Sequence, residues 1–109
     1  DAEAEPLFTR SLSLAEQQVG SDHPQVAAIL HFLAMNHSRQ GHTAEAEALF
    51  KRSLDILALF PQAVYPDEAE VLDHYAALLR QGDRIQEAEA IEVKARDVRA
   101  RRASTTVTP

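Results

Sequence analysis

Histidine is the residue type in this sequence best suited to chemistry at neutral pH, because an imidazole can bind a metal ion or carry a proton. The chain has five histidines and no cysteine. No two histidines stand four residues apart and no His-Glu-x-x-His motif occurs, so none has the spacing of a helical metal site. We therefore expect neither a metal ion nor a cofactor. The five are His23, His31, His37, His42 and His74.

Sequence signatures of catalysis are also lacking. The three glycines form no Gly-rich phosphate loop, and the Gly-x-Ser-x-Gly motif of a nucleophile elbow does not occur. The absence of cysteine removes the thiolate nucleophile as well. We predict that the chain is not an enzyme.

Net charge and hydropathy limit the kinds of partner that the chain is expected to bind. The net charge is −6, whereas affinity for a phosphate backbone comes mainly from Lys and Arg, so we expect no nucleic-acid binding. No apolar run approaches the roughly 20 residues of a membrane span, and no signal-peptide pattern is present. The sequence predicts a protein that does not enter membranes and resides in the cytoplasm.

An internal repeat organises the chain. Residues 2–14 and 44–56 share nine of thirteen residues at an offset of 42, and residues 86–91 continue the same register. Pro24 and Pro66 are also 42 residues apart. A repeat of this length indicates a solenoid, in which each unit buries its apolar face against its neighbours.

The apolar spacing within each repeat is helical, with no alternation typical of a strand. It predicts five helices over about residues 3–18, 24–40, 43–60, 67–81 and 84–102. The Ser/Thr-rich residues 103–109 are predicted to be a disordered tail.

Helix-end signals support these limits. Pro24 and Pro66 suit the first turn of a helix, and Thr43 and Asp83 suit N-caps. Glycine tolerates the left-handed backbone that often follows a helix. The three candidates for that position are Gly20, Gly41 and Gly82.

The order of small and large residues in residues 24–60 resembles the tetratricopeptide repeat. A Gln40-Gly41 turn separates Ala34 from Ala46, and Phe50 follows four positions later. The 42-residue period and the Asp22-His23-Pro24 entry look like the longer variety found in kinesin light chains. The resemblance implies an all-α fold of antiparallel helix-turn-helix repeats stacked as a short right-handed solenoid of about five helices.

The resemblance also implies a domain organisation. Residues 1–102 would form the repeat domain, with a half repeat at 1–18 and full repeats at 24–60 and 67–102. Small residues would let the paired helices approach closely, and Phe50 would fill the gap to the next repeat. At the equivalent place in the last repeat stands Glu92, which suits the polar outer face of a solenoid end.

In tetratricopeptide solenoids the first helix of each repeat lines a groove, which here implies helices two and four. Repeats of the kinesin light chain type usually carry a pair of Asn in this groove that can hold a peptide backbone. His31-Phe32 and Asp73-His74 stand there instead, so side-chain recognition is expected. The predicted groove residues are His31, Phe32, Met35, Arg39, Asp73, His74, Ala77 and Arg80.

The function implied is a protein interaction scaffold that binds a peptide or a partner helix in this groove. Two alternatives remain open, a self-association module and the regulatory arm of a larger multidomain protein. The first helix aligns with the second helix of a repeat, which suggests that the chain starts mid-repeat. Its apolar residues would then be partly uncovered, and a homodimer through this helix is possible.

Overall fold

A computed structural model of the chain describes residues 3–106, which form five helices. They are α1 (Glu5–Val19), α2 (Pro24–Arg39), α3 (Thr43–Ala58), α4 (Glu68–Gln81) and α5 (Ile85–Thr106). Helix α2 packs on α3 and α4 packs on α5, while α1 covers α2 and α3 joins the two pairs through α4. The predicted all-α repeat architecture is confirmed. Within the described range, no helix has both the length and the apolar character needed to cross a membrane.

Alanines lie where paired helices cross, as the repeat pattern predicts. Ala34 and Ala46 are fully buried between α2 and α3, and Ala76 and Ala88 are buried between α4 and α5. A small side chain at each crossing lets the helix axes approach and the larger neighbours interlock. Phe50 fills the space between the pairs, with 1% of its surface exposed and its ring stacked on Tyr75 of α4.

The starts of α2 and α4 are capped by different side chains. His23 precedes α2, where its Nδ1 accepts a hydrogen bond of 3.0 Å from the backbone N–H of Gln25. Asp67 precedes α4 and accepts one of 3.0 Å from Ala69. Pro24 occupies the first turn as predicted, whereas Pro66 lies before the cap and outside the helix.

Two predicted caps are wrong. Thr43 is the first helical residue of α3 and not its N-cap, which is His42. Asp83 does not cap α5, because it takes the left-handed backbone (φ 65°) that we had assigned to Gly82 (φ −89°). Aspartate tolerates this conformation better than most residues. The positive φ values predicted for Gly20 and Gly41 are confirmed at 86° and 81°.

This difference between turns predicts opposite responses to one substitution. Gly41→Ala is expected to lower the free energy of unfolding by about 1 kcal/mol, because alanine is strained at positive φ. Gly82→Ala is expected to be neutral or to raise it by up to about 1 kcal/mol, because its Cβ would make only ordinary contacts with two carbonyl oxygens. Urea unfolding of both variants measures the difference. Equal destabilisation would contradict the observed backbone.

The last helix is longer than predicted. It continues through Thr106, so residues 103–106 are helical and do not belong to a disordered tail. Arg102 gives a physical reason, since its guanidinium donates a 2.5 Å hydrogen bond to the Asp67 carboxylate at the start of α4. This ion pair fastens the late turns of α5 to the helix beneath it. Residues 107–109, the rest of the predicted tail, lie outside the described residues.

Candidate partner-binding face

The predicted groove residues belong to α2 and α4, and we call the surface that these two helices present the α2–α4 face. The two helices meet through His31 and His74, whose Nε2 and Nδ1 atoms share a hydrogen bond of 2.7 Å. Their rings are stacked with centroids 4.9 Å apart. The structure therefore brings together the histidines that the sequence placed on separate repeats.

His31 is part of the core of this face. It is 6% exposed, and burial, followed by the proximity of His74, lowers its pKa to about 4. The imidazole is thus neutral at physiological pH, and in this form it can either donate or accept the hydrogen bond to His74. So little of its surface is open that its main contribution is to hold α2 against α4.

Phe32 is the open aromatic residue of the face. It is 40% exposed, and its ring stacks on Phe8 of α1 at 6.0 Å and on His31 at 5.7 Å. Met35, one turn further along α2, is half-buried and packs against the core. The face thus presents an aromatic ring on a rigid support, with a flexible apolar side chain beside it.

The charged groove residues on α4 are engaged by α5. Asp73 accepts a 2.6 Å hydrogen bond from Arg99, and Arg80 donates two hydrogen bonds of 2.8 Å to Glu92. Ala77 lies between them on α4 and is exposed, and Arg39 is exposed at the end of α2. These residues give the face a polar border whose ion pairs are accessible to solvent. Pairs of this kind contribute little to stability, so a partner can exchange them at small cost.

An ion-pair cluster joining α3, α4 and α5 was not predicted. Glu47 accepts hydrogen bonds of 2.8 and 2.9 Å from the two terminal nitrogens of Arg84, and a third of 2.8 Å from the Tyr75 hydroxyl. These bonds, led by Arg84, lower the pKa of Glu47 to about 2. Burial, followed by the hydrogen bond that the hydroxyl donates to Glu47, raises the pKa of Tyr75. Sequence spacing gave no signal for this cluster, because Glu47 and Arg84 stand 37 residues apart and belong to different elements.

A second concave surface lies between α3 and α5. It is an open groove of about 840 Å³ with Leu54, Leu72, Ile91 and Val98 among its apolar lining and Lys51, Asp55 and Lys94 among its charged residues. The sequence did not predict this groove, because the predicted site was confined to the first helix of each repeat. This groove is the main alternative to the α2–α4 face as a surface for binding a partner.

Three side chains that could hold a metal ion also converge, against the expectation from spacing. Glu5, His37 and His42 come from α1, α2 and the turn before α3, and one potential ligand atom from each lies within 4.8 Å of the others. Sequence reasoning missed this group because its members belong to different elements and share no helical spacing.

The tetratricopeptide repeat family model matches residues 1–58. The match covers more than half of the 109 residues and agrees with the helical pairs described above. The chain therefore belongs to the tetratricopeptide repeat family. Its members are typically non-catalytic and serve as scaffolds for protein–protein interaction. Scaffolding of this kind is the general function of this chain. A search of curated proteins found no match to the chain.

Proposed function

We propose that the chain binds a peptide or a partner helix across the α2–α4 face, with Phe32 and Met35 as its apolar anchors. The exposure of Phe32 supports this most strongly, because an aromatic ring that is 40% exposed and held by two neighbouring rings is a preformed contact. The resemblance to kinesin light chain repeats, which carry Asn at the first two groove positions, remains a prediction. Here recognition runs through side chains and not through an Asn clamp.

The remaining groove residues supply shape and polarity in this proposal. His31 and His74 form the floor, Ala77 leaves room for a bound segment, and Arg39, Asp73 and Arg80 form the border. The proposal includes no catalytic step and no cofactor, and it places the interaction in the cytoplasm. Such an interface takes a partner that presents an apolar residue flanked by charges.

Loss of the anchors tests this proposal. A peptide selected from a displayed library for binding to the chain is expected to lose about 1 kcal/mol of affinity or more with Phe32→Ala, and a similar amount with Met35→Ala. Phe60→Ala is the matched control, since Phe60 is 36% exposed but lies in the segment after α3. Calorimetric titration measures affinity, and circular dichroism checks that helicity is kept. Unchanged affinity in both anchor variants would refute the proposal.

Self-association through α1 is a second candidate function, favoured by two leucines on one side of that helix. Leu7 is 66% exposed and Leu14 is 52% exposed, while Leu12 packs against the core. A two-fold dimer that joins two copies of α1 would cover the exposed pair. Sedimentation equilibrium distinguishes the candidates, since a 12.1 kDa monomer at high concentration excludes the dimer. A dimer dissociated by Leu7→Glu would support it.

A further inference from the structure

We infer that Glu5, His37 and His42 form a binding site for a divalent transition-metal ion of the zinc class. His37 is the central residue: its Nε2 lies 3.1 Å from Glu5 Oε1, and its Nδ1 lies 3.2 Å from His42 Nδ1. His37 therefore contacts both Glu5 and His42, although the three residues come from three different structural elements.

The spacing suits a tetrahedral ion. Ligand atoms about 2.1 Å from zinc stand roughly 3.4 Å apart at tetrahedral angles. The potential ligand atoms here lie within 4.8 Å of one another, so a small rotation of side chains closes the site. His42 is exposed in the turn between α2 and α3 and has room for that rotation.

Glu5 supplies an independent reason to place a cation here. Its Oε1 is shielded from solvent and yet accepts no hydrogen bond from the residues that the structure describes, despite its short contact with His37. A shielded carboxylate oxygen is costly unless a well-aligned donor or a positive charge meets it, and a bound cation supplies that charge.

The repeat itself shows what normally meets this carboxylate. At the 42-residue offset, Glu5 is equivalent to Glu47 and His42 is equivalent to Arg84. In the following repeat Arg84 neutralises Glu47 with two hydrogen bonds. The first repeat has a histidine where the second has that guanidinium, and a further histidine, His37, where the second has Leu79. A metal ion held by the two imidazoles thus takes the place of the guanidinium charge.

The donor set determines the class of ion. Two imidazoles and one carboxylate favour Zn²⁺ and neighbouring transition metals, whereas Mg²⁺ and Ca²⁺ prefer sites made entirely of oxygen. Three protein ligands leave at least one coordination position for water. The bound ion would fasten the first turn of α1 to the α2–α3 turn, so its binding energy adds to the stability of the fold.

Thermal unfolding with Zn²⁺ tests the inference, with Mg²⁺ as the control for nonspecific attraction to an acidic chain. A free Zn²⁺ concentration about one hundred times the dissociation constant is expected to raise Tm by about 10 °C. Mg²⁺ is expected to leave Tm unchanged. The absorption spectrum of Co²⁺ provides a second readout, with the intense visible bands of a four-coordinate ion expected on binding.

Two histidine variants locate the ion. His42→Gln is expected to lower the Zn²⁺ association constant by at least about tenfold, because a direct ligand is lost. The variant should fold, since His42 is exposed and its side chain makes no capping hydrogen bond. His23→Asn is the control: it removes a histidine outside the cluster, and asparagine can still cap α2. No Zn²⁺ binding by the unmodified chain, or equal binding by His42→Gln, would overturn the inference.

Discussion

Phe50→Ala is expected to lower the free energy of unfolding by about 3 to 5 kcal/mol. The Phe50 ring is 1% exposed and lies between two other rings, 6.1 Å from His31 of α2 and 5.8 Å from Tyr75 of α4. Its removal would leave a cavity where three helices meet. A small domain has only about 5 to 15 kcal/mol of stability in total, so much of the margin would be lost.

Urea unfolding followed by circular dichroism measures the Phe50 effect, and Phe60→Ala is the matched control. Phe60 has the same side chain but is 36% exposed, so its truncation is expected to cost about 1 kcal/mol or less. Equal losses in the two variants would contradict the packing of the repeat around Phe50.

Acid is expected to destabilise the protein through His31. The unfolded imidazole takes up a proton as pH falls through 6.5, whereas the folded one stays neutral until its pKa of about 4. The unfolded state therefore binds more protons in this window, and stability falls with pH by about 3 kcal/mol in total, of which about 2 kcal/mol is lost by pH 5. Glu47 adds nothing above pH 4.5, because its pKa is lowered and its stabilisation is lost only as pH falls towards 2.

The His31→Gln variant isolates this contribution, because glutamine can still donate a hydrogen bond to His74 but does not titrate in this range. Unfolding free energies at pH 7 and pH 5 are compared within each variant, so any loss common to both pH values cancels. The variant is expected to lose about 2 kcal/mol less than the unmodified chain on acidification. The control is His23→Asn, which removes an imidazole at the start of α2. Identical pH dependence in the unmodified chain and His31→Gln would show that His31 is not held neutral by burial.

Local patterns in the sequence predicted most of the helical architecture. The 42-residue repeat and the helical spacing of apolar residues depend on neighbours along the chain, and the starts of four helices agree with prediction to within one residue. The end of α5 was missed because Arg102 is held by Asp67, a contact across 35 residues. The Asp83 turn was missed because local preference favours glycine for the left-handed position.

The side-chain chemistry was harder to predict, because it depends on how helices are rotated against each other. The sequence placed His31 at the first groove position of one repeat and His74 at the second groove position of the next, but gave no sign that they share a hydrogen bond or that His31 is buried. The ion pair of Glu47 with Arg84 also joins residues far apart in sequence. Only the assembled fold shows which polar groups neutralise each other.

Chemical-shift mapping tests most directly the claim that the α2–α4 face binds the partner. The ¹⁵N- and methyl-labelled chain would be titrated with the peptide selected for binding to it. The account predicts the largest changes at Phe32, Met35 and Ala77. Changes confined to Leu54 and Ile91, in the groove between α3 and α5, with the α2–α4 face unperturbed, would contradict it.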